Sequence, residues 1–103
     1  MEAAVTAKAA LLAALLQGKG FGLELIERVH QRTQGQLRLG DGSVYPTLRA
    51  MEREGLLVSH EADPSPERGG RPRRYYELTA EGMRAAKEST KVLFVLGRLG
   101  EVS

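Results

Sequence analysis

The sequence predicts a mainly α-helical fold carrying one small β-hairpin, and three observations predict it. Apolar residues recur at three- and four-residue steps in four separate stretches. Two short β-prone runs, Leu56-Leu57-Val58-Ser59-His60-Glu61 and Tyr75-Tyr76-Glu77-Leu78, flank a turn-rich segment rich in Pro and Gly. Gly18, Gly20, Gly35 and Gly55 punctuate the helical stretches where a chain must leave helical geometry.

The first helix is expected over residues 3–17, which are Ala- and Leu-rich and uninterrupted. Val5, Ala9, Leu12, Leu15 and Leu16 would form its buried face. The run Gly18-Lys19-Gly20-Phe21-Gly22 has the glycines of a phosphate loop but follows a helix rather than a strand, so it reads as a helix stop and turn. A second helix follows from about Leu23 to Arg32, with Leu25, Ile26 and Val29 inward. After Leu37-Arg38-Leu39, a third helix starts near Asp41 to Ser43, with Asp41 as the expected cap. Pro46 belongs in or near its first turn, where a missing N–H is harmless. Val44, Leu48 and Met51 form its inward stripe, while Tyr45, Arg49 and Arg53 project from the other side.

The two β-prone runs then form a hairpin around the tip at residues 63–72. Thr79 is placed to cap a fourth helix running to about Leu99, with Glu81 in its first turn where the helix dipole favours a carboxylate. Three helices, a hairpin and a last helix make the winged variant of the helix-turn-helix, with an added C-terminal dimerisation helix. Residues 1–78 are expected to form the winged-helix DNA-binding domain, whose first helix also supports the dimer, and residues 79–103 the dimerisation helix.

Charge points the same way. Of the 15 Lys and Arg residues, four fall in Arg68-Gly-Gly-Arg71-Pro-Arg73-Arg74, at the wing. The remainder of the chain carries 11 basic residues against 13 acidic ones, so the net charge of +2 comes from this loop. A cationic loop leading into a strand can lie along a phosphate backbone and release counterions. A helix that reads a groove needs small or hydrogen-bonding residues in its first half, and Gly42, Ser43, Tyr45, Thr47 and Arg49 supply them. Arg49 suits guanine or a phosphate, and the Tyr45 hydroxyl a phosphate.

Two stretches resemble the signatures of the PadR family of bacterial transcriptional regulators. One is Gly42-Ser43-Val44-Tyr45-Pro46-Thr47-Leu48-Arg49-Ala50-Met51-Glu52-Arg53-Glu54-Gly55-Leu56-Leu57; the other is Gly69-Gly70-Arg71-Pro72-Arg73-Arg74-Tyr75-Tyr76-Glu77-Leu78-Thr79-Ala80-Glu81-Gly82. The resemblance covers roughly residues 8–85 and implies DNA contact by Ser43, Tyr45 and Arg49, with Arg71, Arg73 and Arg74 on backbone and minor groove. It also implies a repressor on a near-palindromic operator, released by a small molecule or cellular signal acting near the dimer interface. Two departures are visible. Phe21-Gly22-Leu23-Glu24 stands where the family usually has His-Gly-Tyr-Glu, and Gly40-Asp41-Gly42 where Ser-Pro-Gly is commoner.

Met83, Ala86, Thr90, Leu93 and Gly97 repeat along the fourth helix in the pattern of a helix–helix seam, with Phe94 beside them. Val92, Val95, Leu96 and Leu99 make the other sides apolar too, so the helix needs more partner surface than one small domain offers. The resemblance likewise implies a homodimer through this helix.

Other functions find little support. Cysteine is absent, as suits a reducing compartment, and His30 and His60 lie on different elements without matched ligands, so neither metal nor cofactor is expected. No triad, acid–base pair or P-loop is present, and the chain does not read as an enzyme. The longest apolar run, Val92 to Leu96, is too short to span a bilayer, and no signal peptide is visible; the expectation is a cytoplasmic protein without membrane partners. Two other classes stay open: a winged-helix module whose Arg-rich wing docks an acidic protein, and a small-molecule sensor with vestigial DNA contact. Steep salt dependence of duplex binding separates DNA recognition from the first. Replacing Arg73 and Arg74 by Ala separates it from the second.

Overall fold

The computed structural model of the chain describes residues 6–62 and 73–90. Its elements are α1 (Ala7–Leu15), β1 (Gly20–Phe21), α2 (Gly22–Arg32), α3 (Asp41–Arg53), β2 (Leu57–Glu61) and β3 (Arg74–Leu78). A final helix, α4, is described over residues 80–90. The architecture is the mainly α winged helix-turn-helix that the sequence predicts.

α1 opens where the Thr6 side chain accepts a hydrogen bond from the Ala9 N–H at 3.1 Å, and Gly18, at φ 139°, turns the chain after it. Its buried face is Ala10, Leu11, Leu12, Ala14 and Leu15. This corrects the expected stripe, because Ala9 and Leu16 are only half-buried and Leu11 is fully enclosed; Val5 lies outside the described residues. The cause is composition. Apart from Lys8, α1 contains only Ala and Leu, so the pattern has no polar phase and packing alone selects the buried side.

α2 buries Leu25, Ile26 and Val29, as its spacing predicts, and also Gly22. It stops at a left-handed pair, Gln34 at φ 56° and Gly35 at φ 81°, where the Gly35 N–H reaches back to the His30 carbonyl at 2.8 Å.

α3 buries Val44, Leu48 and Met51 as expected, but its start differs in two respects. Asp41 does not cap the helix; Gly40 occupies the cap position with no side-chain hydrogen bond, and Asp41 is the first helical residue. Pro46 sits in the second turn rather than the first. Its missing N–H leaves the Gly42 carbonyl without the usual donor, which is tolerable because both residues are exposed and water can serve that carbonyl.

The sheet has three antiparallel strands in the order β1-β3-β2, not the two of a simple hairpin. β2 pairs with β3 from Leu57↔Leu78 to Glu61↔Arg74, and β1 adds Gly20↔Tyr76 and Phe21↔Tyr75. The segment 18–22 is therefore a turn plus a short edge strand. Two residues are too few to show alternation, and their partner lies far along the chain, so no local pattern announces them.

Leu11, Leu25, Val44, Leu48, Met51 and Leu57 are fully enclosed where α1, α2, α3 and β2 meet. Each such side chain contributes about 1.5–3 kcal/mol relative to exposure. Thr79 caps α4 as expected: its Oγ accepts from the Gly82 N–H at 3.0 Å and donates to the Gly55 carbonyl at 2.6 Å. Gly82 lies directly on the Leu56 carbonyl, where a Cβ would overlap backbone atoms. The expected continuation of α4 to about Leu99 falls outside the described residues.

Candidate nucleic-acid interface

One side of the first half of α3 is bare. Gly40, Asp41, Gly42, Ser43 and Pro46 are exposed, and a Cβ built at Gly40 or Gly42 would meet nothing within 4 Å. The first backbone bonds of the helix run from the Ser43 and Val44 N–H groups to the Gly40 carbonyl, both at 3.0 Å. The N–H groups of Asp41 and Gly42 precede them and sit at the positive end of the helix dipole, a local environment that favours an anion.

The side chains expected on this face differ in how free they are. Ser43 Oγ donates to the Gly40 carbonyl at 3.1 Å, and Thr47 Oγ donates to the Ser43 carbonyl at 2.6 Å. Both hydroxyls therefore present lone pairs outward and must rotate to donate elsewhere. Tyr45 does not project freely from the helix. Its ring packs over Gly22 at the start of α2, so closely that any side chain at Gly22 would overlap it. That contact locks the two helices of the helix-turn-helix together and leaves Tyr45 half-buried. Arg49 and Arg53 are exposed, and among the described residues neither has a carboxylate within ion-pair distance.

The wing root is organised differently. Arg73 lies over the Phe21 ring, its guanidinium carbon 4.2 Å from the centroid. Arg74 donates to Glu61 Oε1 at 2.8 Å and to Ser59 Oγ at 3.1 Å. Arg71 lies outside the described residues. What braces these cations is not legible in the chain order of residues. Phe21 on β1, Tyr75 on β3 and His60 on β2 stand in register across all three strands. The Phe21 and Tyr75 rings meet edge to face at 5.5 Å, and His60 stacks on Tyr75 at 5.8 Å. Lys19 sits 5.8 Å from the Tyr75 centroid. Recognising the ladder requires the β1 strand, which local pattern does not reveal.

Tyr76, on β3 and buried, joins the two regions. Its hydroxyl is pushed above the usual phenol value first by burial and then by Glu52; Arg74 and Arg49 pull it back, and Tyr45 adds a small upward push. The Ser59 hydroxyl, bonded to Glu52 of α3 at 2.6 Å and to Arg74 of the wing root at 3.1 Å, shows that the fold brings these two candidate regions side by side.

On α4, Met83 is exposed, Thr90 is exposed, and Ala86 is fully buried within its own chain. Ala86 therefore already has its partner in the domain core and does not face outward with Met83. Leu93, Phe94 and Gly97 lie outside the described residues. An open groove of about 400 Å³ runs along α2, lined by Phe21, Leu23, Glu24, Glu27, Arg28 and Gln31. Among the described residues no group of three or more His, Cys, Asp or Glu could hold a metal ion, and no helix is long and apolar enough to cross a membrane.

Residues 11–88 match the family described as Transcriptional regulator PadR-like family. The chain is 39% identical over 61 residues to Transcriptional regulator Rv3488 of Mycobacterium tuberculosis. That match takes in 59% of this chain and 53% of the relative, so the chain spans about half the length of the curated protein it resembles. Among solved structures, a transcriptional regulator from Clostridium thermocellum superposes with a TM-score of 0.74 at 18% identity, covering 92% of this chain and 86% of the other. A PadR family transcription regulator from Clostridium difficile gives 0.69 at 22% identity, covering 90% and 92%. At such identities the structures speak for the fold, and the family match over most of the chain speaks for descent: this protein belongs to the PadR-like family of transcriptional regulators.

Proposed function

We propose that the protein is a sequence-specific, double-stranded DNA-binding repressor that works as a homodimer. The observation that carries this reading is the start of α3. Exposed backbone at Gly40 and Gly42, with the Asp41 and Gly42 N–H groups ahead of the helix's first bonds, stands at one projecting helix end. Arg49, exposed and without an ion-pair partner among the described residues, lies about two turns further along the same face. Such an end can approach a groove closely, with the backbone meeting phosphate and the guanidinium reaching a guanine edge. Ser43, Tyr45 and Thr47 supply shorter-range contacts on that helix, and Arg71 and Arg73 contact flanking phosphates from the wing. Two copies would present two such helices to successive major grooves of a near-palindromic operator. Met83, Thr90, Leu93, Phe94 and Gly97 on the last helix form the dimer seam, and a small-molecule or cellular signal acting there changes the spacing between the reading helices.

Selection of bound duplexes from a random DNA pool at about 150 mM salt, where non-specific affinity is weak, tests this directly. Enrichment of a two-fold symmetric motif with half-sites about one helical turn apart is the expected result. No enrichment, with duplex binding that depends weakly on salt, would favour a wing that docks an acidic protein instead. Arg49→Ala is expected to weaken binding to the enriched duplex by about 1–3 kcal/mol and to relax preference at one base pair per half-site, read by competition against single-base variants. Leu93→Asp is expected to yield a monomer in light scattering. A variant that remains dimeric would move the seam elsewhere.

A further inference from the structure

Ser59 stands on β2 between α3 and the wing. Its hydroxyl donates to Glu52 Oε2, on α3, at 2.6 Å, and the same oxygen accepts from Arg74 Nη1, on β3, at 3.1 Å. Arg74 Nη2 continues the chain by donating to Glu61 Oε1 at 2.8 Å. A hydroxyl has one proton to give and lone pairs to receive with, so Ser59 can serve a carboxylate and a guanidinium together. Glu52 follows Arg49 by three residues, which places it near the exposed arginine on the same helix. One carboxylate, Glu61, pairs with the Arg74 guanidinium directly and a second, Glu52, is linked to it through the Ser59 hydroxyl, whereas Arg49 has no ion-pair partner among the described residues. Tyr76 lies in the same junction, within electrostatic reach of both Glu52 and Arg74.

The geometry points to Arg74 as a positioning residue that, through Ser59 and Glu52, fixes the angle between α3 and the β2–β3 wing, rather than as a phosphate ligand. This rests on the DNA-binding reading above. Arg74 commits two of its five N–H donors to Ser59 and Glu61, and the Glu61 carboxylate at 2.8 Å already offsets the charge that a phosphate would meet. Held there, Arg74 ties the helix that reads sequence to the strands that carry the flanking contacts. Specific binding needs both in register on the duplex, whereas non-specific binding tolerates a loose angle.

The test uses the full chain with Ser59→Ala, the charge-neutral pair R74Q/E61Q, and all three changes together. Each is titrated onto the duplex most enriched by selection and onto a mixed-sequence duplex, over a range of salt. Thermal melting confirms that each variant is folded; Ser59→Ala is small and leaves every charge in place. S59A and R74Q/E61Q are each expected to lower affinity for the enriched duplex about tenfold, the scale of hydrogen bonds to charged groups. Affinity for the mixed-sequence duplex and the salt slope should stay where they were, and the triple variant should be no weaker than either parent. The role is overturned if R74Q/E61Q weakens both duplexes alike and makes the log–log salt slope shallower by about 0.9 for each phosphate no longer neutralised, with S59A neutral. Wild-type protein that binds neither duplex in a salt-dependent way would instead overturn the DNA-binding reading, and the positioning role with it.

Discussion

At its C-terminal end α3 runs into backbone from elsewhere in the chain, whereas at its N-terminal end it meets solvent. Gly55, at φ 83°, lets the chain reverse while the Leu56 N–H reaches back to the Met51 carbonyl at 2.9 Å. Thr79 then closes on the next two carbonyls, its hydroxyl on Gly55 at 2.6 Å and its N–H on Leu56 at 3.0 Å. Lys8 from α1 adds an ion pair to Glu54 at 3.0 Å. The opposite end has a glycine in the cap position, a proline that removes a hydrogen bond from the second turn, and open space around Gly40 and Gly42. A helix held firmly at one end and unencumbered at the other presents its free end without wandering, which is what a groove-reading element requires.

Substitutions should expose this asymmetry in graded steps. Gly82→Ala is expected to act most strongly, destabilising by at least about 3 kcal/mol, because the obstacle is the Leu56 carbonyl and backbone cannot rotate away. The denaturant midpoint reads this, and a midpoint close to that of the wild type would mean the held end is looser than described. Thr79→Ala removes the α4 cap and the donor to Gly55 together, and should destabilise by about 1–2 kcal/mol in the same measurement.

At the free end the sign reverses. Gly42→Ala should stabilise by roughly 0.5–1 kcal/mol, since an exposed helical position gains propensity and meets no neighbour. The same change should weaken binding to the enriched duplex, because the new methyl stands where backbone would approach phosphate. Unchanged affinity would show that no such approach occurs. Lys8→Ala should do least, about 0.5 kcal/mol or below, because both partners of its ion pair are about half exposed at 48% and 50%. A larger loss in thermal unfolding would make α1 a third anchor of the helix.

The legibility of these features follows the range of the interactions behind them. The stripes of α2 and α3 are plain because polar residues, Glu24, Glu27 and Arg28 around Leu25, Ile26 and Val29, and Ser43, Thr47 and Arg49 around Val44, Leu48 and Met51, fix the phase. In α1 the phase is missing, and the buried face is partly turned from the expected stripe. Thr79 as a cap and Gly55 as a stop are local events with local signatures. Tyr45 is legible as a residue of α3 but not as the side chain that fills the space over Gly22, since that contact joins separate helices.

Arg73 and Arg74 teach the same lesson through charge. As letters they are two of four cations in a basic loop; in the fold one lies on Phe21 and the other is held by Glu61 and Ser59. Sequence by itself determined the helix order, the hairpin, the Thr79 cap and the location of positive charge, because these depend on neighbours a few residues away. Tertiary structure alone decided the β1 strand, the aromatic ladder from Phe21 to His60, and which arginines remain free to meet a partner. Those depend on residues far apart in the chain, whose side chains acquire neighbours only when the core closes around Leu11, Leu48 and Leu57.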